Sequence, residues 1–282
     1  MSFHRIMKRP DNSLVMRLVP NRHTWEYYKR SGGKLEAAIC IGADPAVLLA
    51  GAICTDLGKY ELAIASALAG KPVETVRCKR VGLSVPADTE IVIEARLTPE
   101  LVDEGPFVDI TLTPDIVRKE PKAEVLAVTH RQDPVFHALL PGGYEHATVW
   151  KTPTEAVMLR EIRKQCDCTD VFLSFGGCSR FHGIVQIRKK KPSDGRAAID
   201  AAFGAHKSMK HVFIVDEDID VQDPAAVEWA LATRFQAKTD LVVRNDEHGS
   251  TLDPSTQKSG RTSKAGFDCT IKGDPKEFRK VF

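Results

Sequence analysis

Residues 104–109 read Glu104-Gly105-Pro106-Phe107-Val108-Asp109, two carboxylates five residues apart around a rigid Gly-Pro turn. Short apolar runs separated by turn residues surround this stretch. They cover residues 13–19, 37–41, 73–76, 90–97, 107–112, 125–129 and 135–140, and each reads as a strand. Helical periodicity interrupts them at 23–30, 45–53 and 59–69, and Gly70 follows the last as a helix C-terminal residue often does. Many short strands with a few helices between them imply an α+β domain built on a β-barrel or a strongly curved sheet.

Pro141, Gly142 and Gly143 punctuate the end of that region, which places a boundary near residue 145 and domains at 1–145 and 146–282. Helix and strand then alternate: helix 153–165, strands 171–175 and 183–188, helix 196–209, strand 211–215 and helix 224–235. That order predicts a helix-covered α/β sheet with at least one parallel pair. Residues 245–264 are polar and rich in Gly, Ser, Thr and Asp, so a long loop or a partly disordered segment is expected there.

Composition narrows the function. The 282 residues are 43% hydrophobic and 28% charged, with 40 Lys and Arg against 38 Asp and Glu. Such a balance carries no commitment to a polyanion or to a membrane surface. The opening residues lack an apolar signal segment and no run reaches the length of a membrane span, so a cytoplasmic protein is expected. Seven cysteines at irregular spacing (Cys40, Cys54, Cys78, Cys166, Cys168, Cys178, Cys269) argue against a disulfide framework. Cys166-Asp167-Cys168 has neither the spacer nor the second ligand pair of a zinc site. There is no glycine fingerprint for a dinucleotide or nucleoside triphosphate, and no nucleophile elbow.

Glu104 and Asp109 remain as candidates for chemistry. Two acids on one loop can face one desolvated pocket, where repulsion raises the proton affinity of one while a nearby arginine keeps the other ionised. A solvated hairpin carrying two surface acids is the alternative. Around them, His23 reads by itself as a helix cap or surface residue, Glu61 as an acid favoured by a helix dipole, and Arg5 as a charge near a terminus.

Taken in order, these segments resemble the UbiD family of prenylated-FMN-dependent reversible decarboxylases. Glu104-Gly105-Pro106-Phe107-Val108-Asp109 is similar to the family's acidic segment, and Arg5-Ile6-Met7 to its R-x-M segment. His23 falls eighteen residues after Arg5, and Glu61 lies in Lys59-Tyr60-Glu61-Leu62. Gly42-Ala43-Asp44-Pro45, Asp218-Ile219-Asp220-Val221 and Trp229-Ala230-Leu231-Ala232-Thr233-Arg234 extend the match along nearly the whole chain.

The resemblance implies a split β-barrel that binds prenylated FMN, followed by a smaller α/β domain. It implies Arg5, Glu104 and Asp109 as the catalytic group, with Asp109 as proton donor. Arg5, Arg22, His23 and Glu61 would contact the cofactor, and His23 and Glu61 would hold Mn2+ or Mg2+, with K+ a further expected ion. Substrates would be aromatic hydroxy acids first, then unsaturated aliphatic acids that include phosphorylated isoprenoid acids. A flavin prenyltransferase would supply the cofactor, and a homo-oligomer or a heteromer with a second UbiD-like chain would form.

Two departures stand out. Asp replaces the family's usual Glu at 109, one methylene shorter. The family also carries sequence ahead of its R-x-M segment, including a metal-binding asparagine five residues before the arginine, so a shortened member is expected. Its missing part would come from a partner chain, be compensated within a compact site, or reflect a subunit without catalysis. An ordinary FMN-binding split-barrel protein is a further alternative.

Overall fold

The computed structural model describes residues 1–20, 22–53, 55, 57–256 and 260–278; Cys54 of the thiol set lies outside the described residues. The chain divides into two compact units, Met1–Asp109 with Pro114–Leu140, and Ile110–Thr113 with the chain from Pro141 onward. The class is α+β, in keeping with the patterning.

The first unit runs β1 (Ile6–Lys8), β2 (Leu14–Met16), α1 (His23–Arg30), β3 (Leu35–Ile41), α2 (Pro45–Ala52), α3 (Glu61–Ala69), β4 (Thr75–Arg77), β5 (Ser84–Pro86), β6 (Ile91–Glu104) and β7 (Arg118–His130). Five strands form one sheet in the order β1-β2-β7-β6-β3, antiparallel at every pairing, and β4 and β5 form a hairpin. One sheet face buries Leu14, Met16, Ala95, Leu97 and Ala123, and the Trp25 and Tyr28 side chains of α1 pack against it. Helix α2 starts on Pro45 with Asp44 accepting from the Ala46 N–H at 2.8 Å, a standard N-cap. Val47 and Ala50 of α2 pack on Leu62 and Ala65 of α3.

Two expected strands are absent. Between 107 and 112 only an isolated bridge forms, Val108 with Pro114, because Pro106 and Pro114 remove ladder donors and Leu112 has a positive φ of 58°. Residues 135–140 form no strand, with Val135 68%, Phe136 65% and Leu140 75% exposed. Apolar character alone supplies no partner strand. Strand β6 in turn runs seven residues beyond its expected end, passing Thr98-Pro99-Glu100 through a register irregularity between Leu97 and Leu101.

The second unit runs α4 (Tyr144–Ile162), β8 (Cys168–Leu173), β9 (His182–Ile187), α5 (Asp194–Ala205), β10 (His211–Asp216), α6 (Pro224–Arg234), α7 (Ala237–Asp240), β11 (Leu241–His248) and β12 (Arg261–Asp268). Its sheet has the order β11-β12-β10-β9-β8, with the expected parallel pairing at β9/β10 and also at β10/β12. Successive residues alternate between two cores, as strand geometry requires. Val185, Ile187, Val212 and Ile214 face α4 and α5, whereas Ile184 and Val215 face α6. The sheet is mixed, with antiparallel edge pairings at β8/β9 and β11/β12, and coverage of both its faces suits the near-continuous apolar runs of its central strands.

Two expectations fail here. Helix α4 begins at Tyr144 rather than at 153, so Pro153 sits inside it, and the Thr154 hydroxyl donates to the Trp150 carbonyl at 2.8 Å in the turn that the proline interrupts. The expected loop at 245–264 contains the end of β11 and the start of β12, paired antiparallel; its residues 257–259 lie outside the described set. Residues 243–248 of β11 are mostly exposed, so polar side chains suit it and hide the strand from a hydrophobicity reading. Among the described residues no helix is long and apolar enough to cross a membrane.

Candidate active site

Arg5 immediately precedes β1, and its carbonyl accepts from the Arg17 N–H at 3.1 Å as the strand pair begins. Glu104 ends β6 and Arg118 opens β7, and the register sets them directly opposite each other. The loop between them turns on Gly105, whose φ of +96° disfavours any side chain, and on the cis Gly105–Pro106 bond. It is closed by the Asp115 N–H donating to the Phe107 carbonyl at 2.7 Å.

These elements deliver one ionic cluster. Arg5 grips Glu104 in a two-pronged pair, Nε to Oε1 at 2.5 Å and Nη2 to Oε2 at 2.8 Å. Its Nη1 donates to Asp109 Oδ2 at 2.5 Å and to Asp115 Oδ2 at 3.0 Å. Arg118 also donates to Asp115 Oδ2, and the Ile116 N–H donates to Oδ1 at 2.8 Å. The Phe107 ring lies 4.7 Å from the Arg5 guanidinium carbon. The Glu104 side chain is wholly buried, that of Asp115 is 2% exposed and that of Asp109 16%. Burial alone pushes Asp115 up, but the Arg118 hydrogen bond, the Ile116 N–H and Arg5 together hold it below the usual carboxylate range. Burial likewise works against the Arg5 charge, and the hydrogen bond to Glu104 outweighs it, so that Arg5 is raised.

A second pair lies in the same unit. His23 opens α1 and Glu61 opens α3, and His23 Nδ1 lies 2.6 Å from Glu61 Oε1 while its Nε2 meets the Thr55 carbonyl at 3.0 Å. Glu61 Oε2 accepts from the Met1 amine at 2.7 Å. Burial would raise Glu61, but the amine and His23 hold it low. The two groups are stitched together through their neighbours: His4, next to Arg5, meets Thr24, next to His23, at 2.8 Å. Arg22 is the half-buried N-cap residue of α1.

An imidazole and a carboxylate converge at His23 and Glu61, and a divalent cation held there would draw its remaining ligands from other groups, because no group of three or more His, Cys, Asp or Glu is so arranged among the described residues. Unlike α2, helices α1 and α3 have no side-chain cap at their N-termini, and uncapped N-termini suit a phosphate.

The sequence motifs therefore bring Arg5, Glu104 and Asp109 into contact, and separately His23 and Glu61. They did not reveal Asp115, Arg118 or the Phe107 ring. Asp115 and Arg118 stand at i,i+3 just past the acidic segment, but the pairing of Arg118 opposite Glu104 depends on the β6/β7 register. The later matched segment plays an internal part: Arg234, with no exposed side-chain area, bonds Asp218 at 2.5 Å and Asp216 at 3.2 Å and lies 4.9 Å from the Trp229 ring. The six described cysteines are free thiols.

The chain belongs to the UbiD family: residues 1–144 match the 3-octaprenyl-4-hydroxybenzoate carboxy-lyase Rift-related domain and residues 147–269 its C-terminal domain. It is 43% identical over 273 residues to the anhydromevalonate phosphate decarboxylase of Methanosarcina mazei, covering 95% of this chain and 64% of that protein. The structure of the UbiD-class enzyme HmfF from Pelotomaculum thermopropionicum in complex with FMN superposes with a TM-score of 0.96 at 39% identity, over 100% of this chain and 64% of that one. An evolved dimeric form of HmfF in complex with prFMN gives a TM-score of 0.89 at 38% identity, over 100% and 63%. The chain thus spans slightly less than two thirds of the relatives that it matches.

Proposed function

We propose that this chain carries the catalytic part of a non-oxidative decarboxylase that uses prenylated FMN on an α,β-unsaturated acid. The single observation that supports it is the Arg5 cluster, in which a partly exposed Asp109 and a buried Glu104 share one guanidinium. In this reading the first unit holds the flavin. His23 and Glu61 would hold Mn2+ or Mg2+, and Arg22, the N-cap residue of α1, would contact the cofactor.

When bound, the prenylated flavin supplies the acceptor for the electron pair that CO2 leaves behind. Arg5 orients the substrate carboxylate, with Glu104 fixing the plane of its guanidinium. As the carboxyl carbon departs as CO2, Asp109 gives its proton to the carbon that carried it and becomes a carboxylate. Asp at this position is one methylene shorter than the Glu that the family often carries, so the proton donor would need a different reach.

The relative from Methanosarcina mazei, named for anhydromevalonate phosphate, favours a phosphorylated aliphatic acid over an aromatic one as substrate. Coexpression with a flavin prenyltransferase under anaerobic conditions tests the reading through the absorption spectrum, intact flavin mass and metal content of the protein. Bound prenylated flavin, a metal, and CO2 release from anhydromevalonate phosphate support it. A protein that binds the flavin and the metal yet releases CO2 from none of the conjugated acids contradicts it.

A further inference from the structure

Cys166-Asp167-Cys168 plays no part in the chemistry above, yet it lines an open cleft of about 690 Å3 in the second unit. The cleft lies where the chain leaves α4, enters β8 and leaves β9, and the Arg188 N–H donates to the Asp167 carbonyl at 2.8 Å to hold two of those segments together. Arg163 and Lys164 reach it from the end of α4, and Arg188 and Lys190 from the end of β9. A volume of that size is usual for a small-molecule site.

Four cations thus share the cleft with one carboxylate, Asp167, which Lys190 meets at 2.8 Å and Arg188 at 3.6 Å. Lys164 and Arg188 pair in addition with Glu161 at 2.5 Å and Glu217 at 2.6 Å, acids that do not line the cleft. Arg163 is held differently. Its Nε donates to the Cys168 carbonyl at 2.9 Å, while its terminal nitrogens meet no acceptor among the described residues. The negative end of the α4 dipole suits Arg163 and Lys164 but accounts for neither Arg188 nor Lys190. Burial pushes the Cys166 thiol up to about 11 and the Cys168 thiol up to about 12, so neither adds a negative charge that would repel an anion.

We propose that this cleft binds the phosphate or diphosphate group of a small metabolite, with the Arg163 fork as its main contact. A planar guanidinium whose terminal nitrogens are open matches two phosphate oxygens at once. Lys190 and Arg188 complete the site by exchanging Asp167 for the ligand, so Asp167 acts as the internal competitor that an anion displaces. The site depends neither on the flavin nor on the decarboxylation proposed above.

That competition predicts opposite effects for two substitutions, read by calorimetric titration of pyrophosphate into the full chain. Arg163→Gln removes the main contact and should weaken binding about tenfold, with Arg163→Lys, which keeps the charge but loses the fork, falling between it and the parent. Asp167→Asn frees Lys190 and Arg188 and should tighten binding severalfold. Thermal melts establish that each variant is folded. No saturable binding, binding that Arg163→Gln leaves unchanged, or binding that Asp167→Asn fails to tighten overturns the proposal. A polyglutamate peptide that displaces pyrophosphate at an equal concentration of charge would overturn the assignment to a small phosphate and make the cleft a contact for an acidic protein segment.

Discussion

Glu104 and Asp109 are both carboxylates on Arg5, and burial gives them different work. Glu104 has no exposed side-chain area and its anchor is the Arg5 fork, so Arg5→Ala leaves a charge stranded. Losing one partner of such a pair costs about 3 kcal/mol. Urea unfolding of Arg5→Ala should show that loss, and a variant as stable as the parent would contradict the assignment of Glu104 as a buried ion. In the second unit, His211 Nδ1 lies 2.9 Å from His182 Nε2, and burial, together with His182 and Lys210, lowers its pKa to about 4. An unfolded histidine titrates near 6.5. Between those values the unfolded chain binds more protons, so the stability contributed by a neutral His211 is full above about 6.5 and is lost as pH falls toward about 4. Thermal melts across that window should fall more steeply for the parent than for His211→Gln, and parallel slopes would refute the burial argument.

At the scale of elements, backbone conformation decides where the acids sit. Gly105, at φ +96°, turns the chain from β6 into the loop, and a Cβ there is strained whatever the space. Gly105→Ala should cost about 1–2 kcal/mol and misplace Asp109, which predicts a larger loss of kcat than of stability. Steady-state kinetics beside chemical unfolding separates the two. Gly266 of β12 works differently: an added Cβ would lie 2.4 Å from Ile199 Cγ2 on α5, so Gly266→Ala should destabilise by about 1–3 kcal/mol, measured by circular dichroism melts.

Elements of this kind show what the sequence makes legible. Helix α1 occupies the residues its periodicity assigns, and β10 runs where its apolar stretch does, because local pattern and burial agree there. Residues 135–140 and β11 were misread for opposite reasons, one apolar without a partner strand and the other partnered without apolar side chains. The acidic segment and Arg5 were legible as motifs, whereas Asp115 became visible only through the hydrogen bonds that the loop creates.

For the whole molecule, cofactor and metal binding should couple to stability. A ligand present at 100 times its dissociation constant adds about 2.7 kcal/mol. Chelation should therefore lower the melting temperature of the flavin-loaded protein and leave that of His23→Ala unchanged; an equal fall in both would place the metal elsewhere. The likeness to HmfF extends over all of this chain and 64% of that one.

The most direct measurement is the rate of CO2 release from anhydromevalonate phosphate by flavin-loaded parent and Asp109→Asn proteins with equal flavin occupancy. Loss of a positioned proton donor predicts a fall of about 100- to 10,000-fold in kcat. A rate in Asp109→Asn close to that of the parent would contradict the role given to Asp109 and to the cluster around it.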